Sequence, residues 1–113
     1  MNALIANPWS ALVLAGLLEV AWASGFKHAF KSNHLITGVT LAAMVASFWL
    51  LGRAMQTLPV GTAYAVWTGI GAVGAALVGM VFLREPATAI RILSVAAIVG
   101  GIVGLKLSSG PAQ

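Results

Sequence analysis

The run Val60-Gly-Thr-Ala-Tyr-Ala-Val-Trp-Thr-Gly-Ile-Gly-Ala-Val-Gly-Ala-Ala-Leu-Val-Gly-Met-Val-Phe-Leu83 carries no charge over its twenty-four residues. As an α-helix rising about 1.5 Å per residue it reaches about 36 Å, more than the roughly 30 Å of bilayer hydrocarbon. It follows Pro59 and is closed by Arg84-Glu85-Pro86. The run lacks the period-two alternation of a barrel strand. It is a membrane-spanning helix.

The remainder of the chain repeats the pattern. Leu35–Gly52 is eighteen residues without a charge and stops at Arg53. An earlier run starts at Pro8-Trp9, a pair suited to a helix start at the interface, and ends near Lys27 and Lys31. The last apolar stretch, Ile92–Leu105, has fourteen residues between Arg91 and Lys106. It covers only about 21 Å. It therefore borrows length from Ala87–Ile90 and from Ser108, with Arg91 and Lys106 snorkelling. The expectation is an all-α integral membrane protein, one domain over 1–113, with helices at about 8–27, 35–53, 60–83 and 87–107.

Composition agrees. Of 113 residues 60% are hydrophobic and 7% charged, with a mean hydropathy of +1.00. Soluble domains carry about 25% charged residues. Four spans of about 20 residues leave about 33 for everything else, too few for a nucleotide-binding or cofactor domain. No enzyme activity and no cofactor or metal are expected. The net charge of +4 does not indicate nucleic acid, because the basic residues stand singly at the edges of apolar runs, where they anchor helices to lipid headgroups. No cleaved signal peptide is expected either: Met1–Trp9 has no basic residue, and Glu19 interrupts the run that follows.

An even number of spans puts both termini on one side. Lys27, Lys31, Arg84 and Arg91 flank the first and third loops, whereas Arg53 and Lys106 flank the second loop and the C-terminus. Four against two is a weak bias under the positive-inside rule. It is compatible with dual topology and with one preferred orientation, termini outside.

Glu19 is the informative residue. It lies near the middle of the first span, with no basic residue within a helical turn. A mid-bilayer acid costs about 3 kcal/mol and commonly lines a substrate or ion path. The candidate counter-ions Lys27, Arg53 and Arg91 all sit at span ends. An acid without a fixed cation holds a proton and gives it up when a cation arrives, which is the logic of an antiporter. Gly16, Glu19 and Trp22 are three residues apart and share a face about 120° wide. Tyr64 and Trp67 share a face of the third span, and such rings attract desolvated cations. Trp9 and Trp49 suit interfacial anchoring. Thr40 and Ser47 each have the option of bonding back to a carbonyl of their own helix. Gly69, Gly71 and Gly74 permit close helix approach or a bend, and Gly100, Gly101 and Gly104 form a small-residue ridge. That ridge makes the fourth helix a packing arm, fit for a contact between subunits.

With these residues in place the chain resembles the small multidrug resistance family from about Leu12 to Lys106. The lone acid and the segment Pro59-Val-Gly-Thr-Ala-Tyr-Ala-Val-Trp-Thr-Gly-Ile-Gly71 carry the likeness. Gly16-Leu-Leu-Glu-Val-Ala-Trp22, Trp67-Thr-Gly-Ile-Gly-Ala72 and Arg84-Glu-Pro86 resemble its guanidinium-exporting branch. The quaternary-ammonium exporters usually have alanine at the place of Gly16, glycine at that of Trp22 and serine at that of Thr68.

The resemblance implies an antiparallel, dual-topology homodimer in the bacterial inner membrane, alternating access by exchange of the protomers' conformations. It also implies that protons and substrate compete for the two copies of Glu19. Trp22 and Ser47 are then expected to hydrogen-bond and position Glu19, Tyr64 and Trp67 to line the pocket, and Gly16 to keep room for the carboxylate. Ser94 and Gly101 correspond to small residues of the dimerising fourth helix, beside Gly100 and Gly104. The expected partners are guanidinium or a substituted guanidinium cation, protons, membrane lipid and a second copy of the chain, with no nucleic acid. A planar guanidinium meets a carboxylate through two parallel N–H···O bonds, which a quaternary ammonium lacks. A promiscuous exporter of hydrophobic cations and a non-transporting membrane subunit remain as alternatives.

Overall fold

The computed structural model describes residues 7–29, 31 and 33–109. Met1–Ala6, on which much of the signal-peptide expectation rests, lie outside them. The described residues form four α-helices in order: α1 Pro8–Gly25, α2 His34–Met55, α3 Val60–Phe82 and α4 Ala89–Ser108. The helix starts have local causes. The Asn7 side chain accepts from the N–H of Trp9 at 2.9 Å and of Ser10 at 3.4 Å, with Pro8 occupying the first turn. Asn33 does the same for Leu35 and Ile36, and Thr88 accepts from the Arg91 N–H. Each satisfies donors that a helix start leaves open.

The helix ends differ from the sequence expectation by one or two residues. α1 stops at Gly25 rather than 27 because the chain tightens into a turn, in which the Gly25 carbonyl accepts from both His28 and Ala29. α2 runs on to Met55, with Arg53 in its last turn, where a cation complements the helix dipole. α3 closes at Phe82, one residue early, and Leu83 is its C-cap. α4 begins at Ala89 rather than 87 because Thr88 is extended (φ −72°, ψ 162°) as the N-cap.

α2, α3 and α4 are each long and apolar enough to cross a membrane. α1 is not one of these three: it has eighteen residues and carries Glu19. It packs against both α2 and α3. Ala11, Leu12 and Ala15 of α1 are fully buried with Leu50, Leu51 and Ala54 of α2 and Ala63, Val66 and Trp67 of α3. The two alanines let the helix backbones approach closely.

α4 stands apart. It rests chiefly on α3 and buries none of its residues. Its contact side is Ile98 and Ile102, seated on Gly69, where a Cβ would come within 3.0 Å of Ile102 Cδ1. Gly100, Gly101 and Gly104 face the other way, and a Cβ at any of them meets nothing within 4 Å. The outer surface is apolar, with Leu35, Val45, Val81 and Leu93 all exposed, as expected of helices solvated by lipid. Cations sit on tryptophans at one end of the bundle: Arg53 over Trp49 at 5.6 Å, and Lys106 over Trp9 at 4.7 Å.

The α3–α4 connection is pinned at Gly79. Its carbonyl accepts from the N–H of Leu83 at 3.1 Å and of Glu85 at 3.0 Å. Between them Arg84 adopts φ 59°, left-handed for a non-glycine residue. The Glu85 carboxylate lies over Gly79, where a Cβ would collide with it, and pairs with Arg91 at 3.2 Å. This is the one ion pair among the described residues. Arg91, a candidate counter-ion for Glu19, is thus committed elsewhere.

Candidate functional site

The site is built where α1 meshes with α3. Gly16 of α1 faces Ile70 of α3, Glu19 faces Gly71, and Val20 faces Gly74. Each pair sets a large side chain against a glycine, so the helices interlock at close range. The space at Gly16 is filled by Ile70, which corrects the expectation that Gly16 makes room for the carboxylate. That room is supplied by Gly71, where a Cβ would overlap the Glu19 carboxyl group and stand only 2.7 Å from its Cγ.

Glu19 is half-buried, yet its Oε1 is fully shielded and has no hydrogen-bond partner among the described residues. The indole N–H of Trp22, one turn along α1, is also buried and unpartnered. The expected Trp22–Glu19 hydrogen bond is therefore absent at that oxygen.

Ser47 is completely buried and makes different bonds from those expected. Its hydroxyl donates to the Ala15 carbonyl of α1 at 2.7 Å and accepts from the Trp67 indole N–H at 3.0 Å. A serine hydroxyl has one proton to donate, and Ala15 receives it. Ser47 therefore neither holds Glu19 nor bonds back along its own helix; it ties three helices together. Thr40 is buried too, with its hydroxyl against Gly25 of α1. Thr68 and Ser94 do bond backwards, to the carbonyls of Tyr64 at 2.5 Å and Ile90 at 2.7 Å.

Aromatic rings form a row that includes Trp22, one turn along α1 from the acid. Trp22 meets Phe48 edge-on at 6.0 Å, Phe48 meets Trp67 at 5.7 Å, and Trp67 meets Tyr64 at 5.6 Å. Phe26 closes on Trp22 at 5.4 Å. Trp67 is buried, whereas Tyr64 is exposed. Phe48 was missed in the sequence; its position next to Ser47 on α2 was the available signal. The row spans α1, α2 and α3, so the structure brings Trp22, Tyr64 and Trp67 into one aromatic chain. Ser94, Gly100, Gly101 and Gly104 lie exposed on α4.

A shielded carboxyl oxygen with no donor, one helical turn from the Trp22 ring, is suited to take a proton or a cation. Four helices, three of them of spanning length and composition, define a multi-pass helical membrane protein. Residues 7–98 match the family described as Small Multidrug Resistance protein, and the chain belongs to that family. It is 56% identical over 102 residues to a guanidinium exporter of Citrobacter freundii, an alignment covering 89% of this chain and 97% of the relative. A guanidinium exporter of Salmonella typhimurium gives the same identity and coverage. One from Yersinia pseudotuberculosis is 57% identical over 102 residues, 89% of this chain and 98% of its own length.

Proposed function

We propose that this protein is a proton-coupled antiporter that exports guanidinium and small guanidinyl cations, with proton and substrate competing for Glu19. The observation that carries the reading is the buried, unpartnered Oε1 of Glu19, in a chain that is 56% and 57% identical to guanidinium exporters over nearly their whole length. Binding guanidinium satisfies the carboxylate with two parallel charge-assisted hydrogen bonds. Trp22, Ser47, Tyr64 and Trp67 are the surrounding site residues, the rings offering their faces to the cation. Gly16 belongs to the site by letting α3 come close enough to hold it together.

The working unit in this reading is an antiparallel homodimer in the bacterial inner membrane, with α1 as a fourth span. Its two protomers present two copies of Glu19 to one pathway. The open face of α4, with Ser94, Gly100, Gly101 and Gly104 exposed, supports a helix-to-helix contact there. Small residues allow the backbones to approach.

The test is exchange in proteoliposomes. Guanidinium uptake driven by an outward proton gradient, with counter-movement of protons and little response to tetraalkylammonium, is the expected result. Uptake that ignores the proton gradient overturns the coupling, and preference for tetraalkylammonium overturns the substrate.

A further inference from the structure

We infer that Gly71 is a positioning residue for Glu19: by lacking a side chain it provides the seat that places the carboxyl group. The inference rests on Glu19 as the cation site and adds a second residue, on another helix, that determines where that acid sits. Three atoms of Glu19, its Cγ, Cδ and Oε1, are the nearest neighbours of the space a Gly71 Cβ would fill. The same Oε1 is the shielded atom without a hydrogen bond. No hydrogen bond holds this oxygen, and Gly71, within α3, offers it space in place of a side chain.

The neighbouring glycine gives an internal contrast. Gly74 makes room in the same way for Val20, which bears no charge and binds nothing. Alanine at 71 or at 74 presses α1 away from α3, but only alanine at 71 displaces the carboxyl. A displaced carboxyl that loses one hydrogen bond to the cation loses roughly tenfold to a hundredfold in affinity.

The experiment uses the full-length protein in detergent, with guanidinium as the probe at one fixed pH. Gly71→Ala is expected to weaken guanidinium binding between about tenfold and a hundredfold. Glu19→Ala removes Cγ, Cδ and Oε1, the three atoms nearest the space a Gly71 Cβ would fill, and so vacates the seat. The double variant Gly71→Ala with Glu19→Ala should therefore melt higher than Gly71→Ala alone. Gly74→Ala should gain nothing from Glu19→Ala. Melting temperatures of wild type, the single variants and the two double variants make this comparison without any ligand. If Gly71→Ala does not fold, recovery of folded protein in the double variant supports the seat, and its failure to recover overturns it. Wild-type binding by Gly71→Ala, or equal response of the 71 and 74 variants to Glu19→Ala, also overturns it. A wild type that binds no guanidinium defeats the exporter reading instead, while the ligand-free comparison still decides whether residues 19 and 71 are coupled.

Discussion

The indole N–H of Trp67 donates to the hydroxyl of Ser47 at 3.0 Å, and both residues are buried. Through Ser47 the bond continues to the Ala15 carbonyl, so one hydroxyl joins α1, α2 and α3. Removing a buried partner leaves the remaining group desolvated and unsatisfied, which costs about 1–3 kcal/mol. Ser47→Ala is therefore expected to lower stability in detergent by that amount. Once Trp67→Phe has removed the donor, Ser47→Ala no longer strands an indole. The double variant should lose less than the sum of the singles, by about 1 kcal/mol. Thermal melts of the four proteins measure this, and strict additivity would show that the bond contributes nothing.

Glu19→Gln should fold and dimerise yet fail to couple. The amide fits beside Gly71 with almost the same shape but neither releases a proton nor carries the charge that recruits a cation. In the wild type, guanidinium binding at a fixed concentration should weaken as pH falls, because protons occupy Glu19. That pH dependence should vanish in Glu19→Gln together with guanidinium-driven proton release. Proton release persisting in the variant would remove Glu19 from the shared-site role.

Two glycines on either side of the α3–α4 contact should behave differently. A side chain at Gly101 meets nothing within the protomer, whereas one at Gly69 meets Ile98 and Ile102. Gly101→Leu is expected to leave the protomer's melting temperature almost unchanged in dilute detergent and to weaken self-association. Gly69→Leu should destabilise the protomer itself. Light scattering across a dilution series separates the two effects; a Gly101→Leu protein that dimerises as tightly as wild type counts against α4 as the pairing helix.

The Glu85–Arg91 pair should matter little to stability. Its side chains are 44% and 41% exposed, respectively, and exposed ion pairs contribute about 0–1 kcal/mol and are screened by salt. Glu85→Gln is expected to lower the melting temperature slightly at low ionic strength and not at all in molar salt. A large loss that survives molar salt would contradict the reading of an exposed, screened pair.

The helices and the acid were legible along the chain because their causes are local. Long apolar runs without period-two alternation leave the backbone no low-energy option in lipid but a helix. Glu19 stands out by the same logic, as a lone charge far from any basic residue. What one helix presents to another is not local, because it depends on the rotation and height of two helices together. Gly16 and Gly71 show this: the family resemblance implied that Gly16 keeps room for the carboxylate, but the register of α1 on α3 gives Gly16 to Ile70 and Gly71 to Glu19. Ser47 shows it again. Its single proton goes to the nearest open acceptor, and only the packing of α2 against α1 makes that acceptor the Ala15 carbonyl. Phe48 enters the aromatic row for the same reason, by lying between Trp22 on one neighbour and Trp67 on the other. Sequence by itself determined the helices and singled out Glu19; the tertiary structure decided which neighbour each candidate site residue meets.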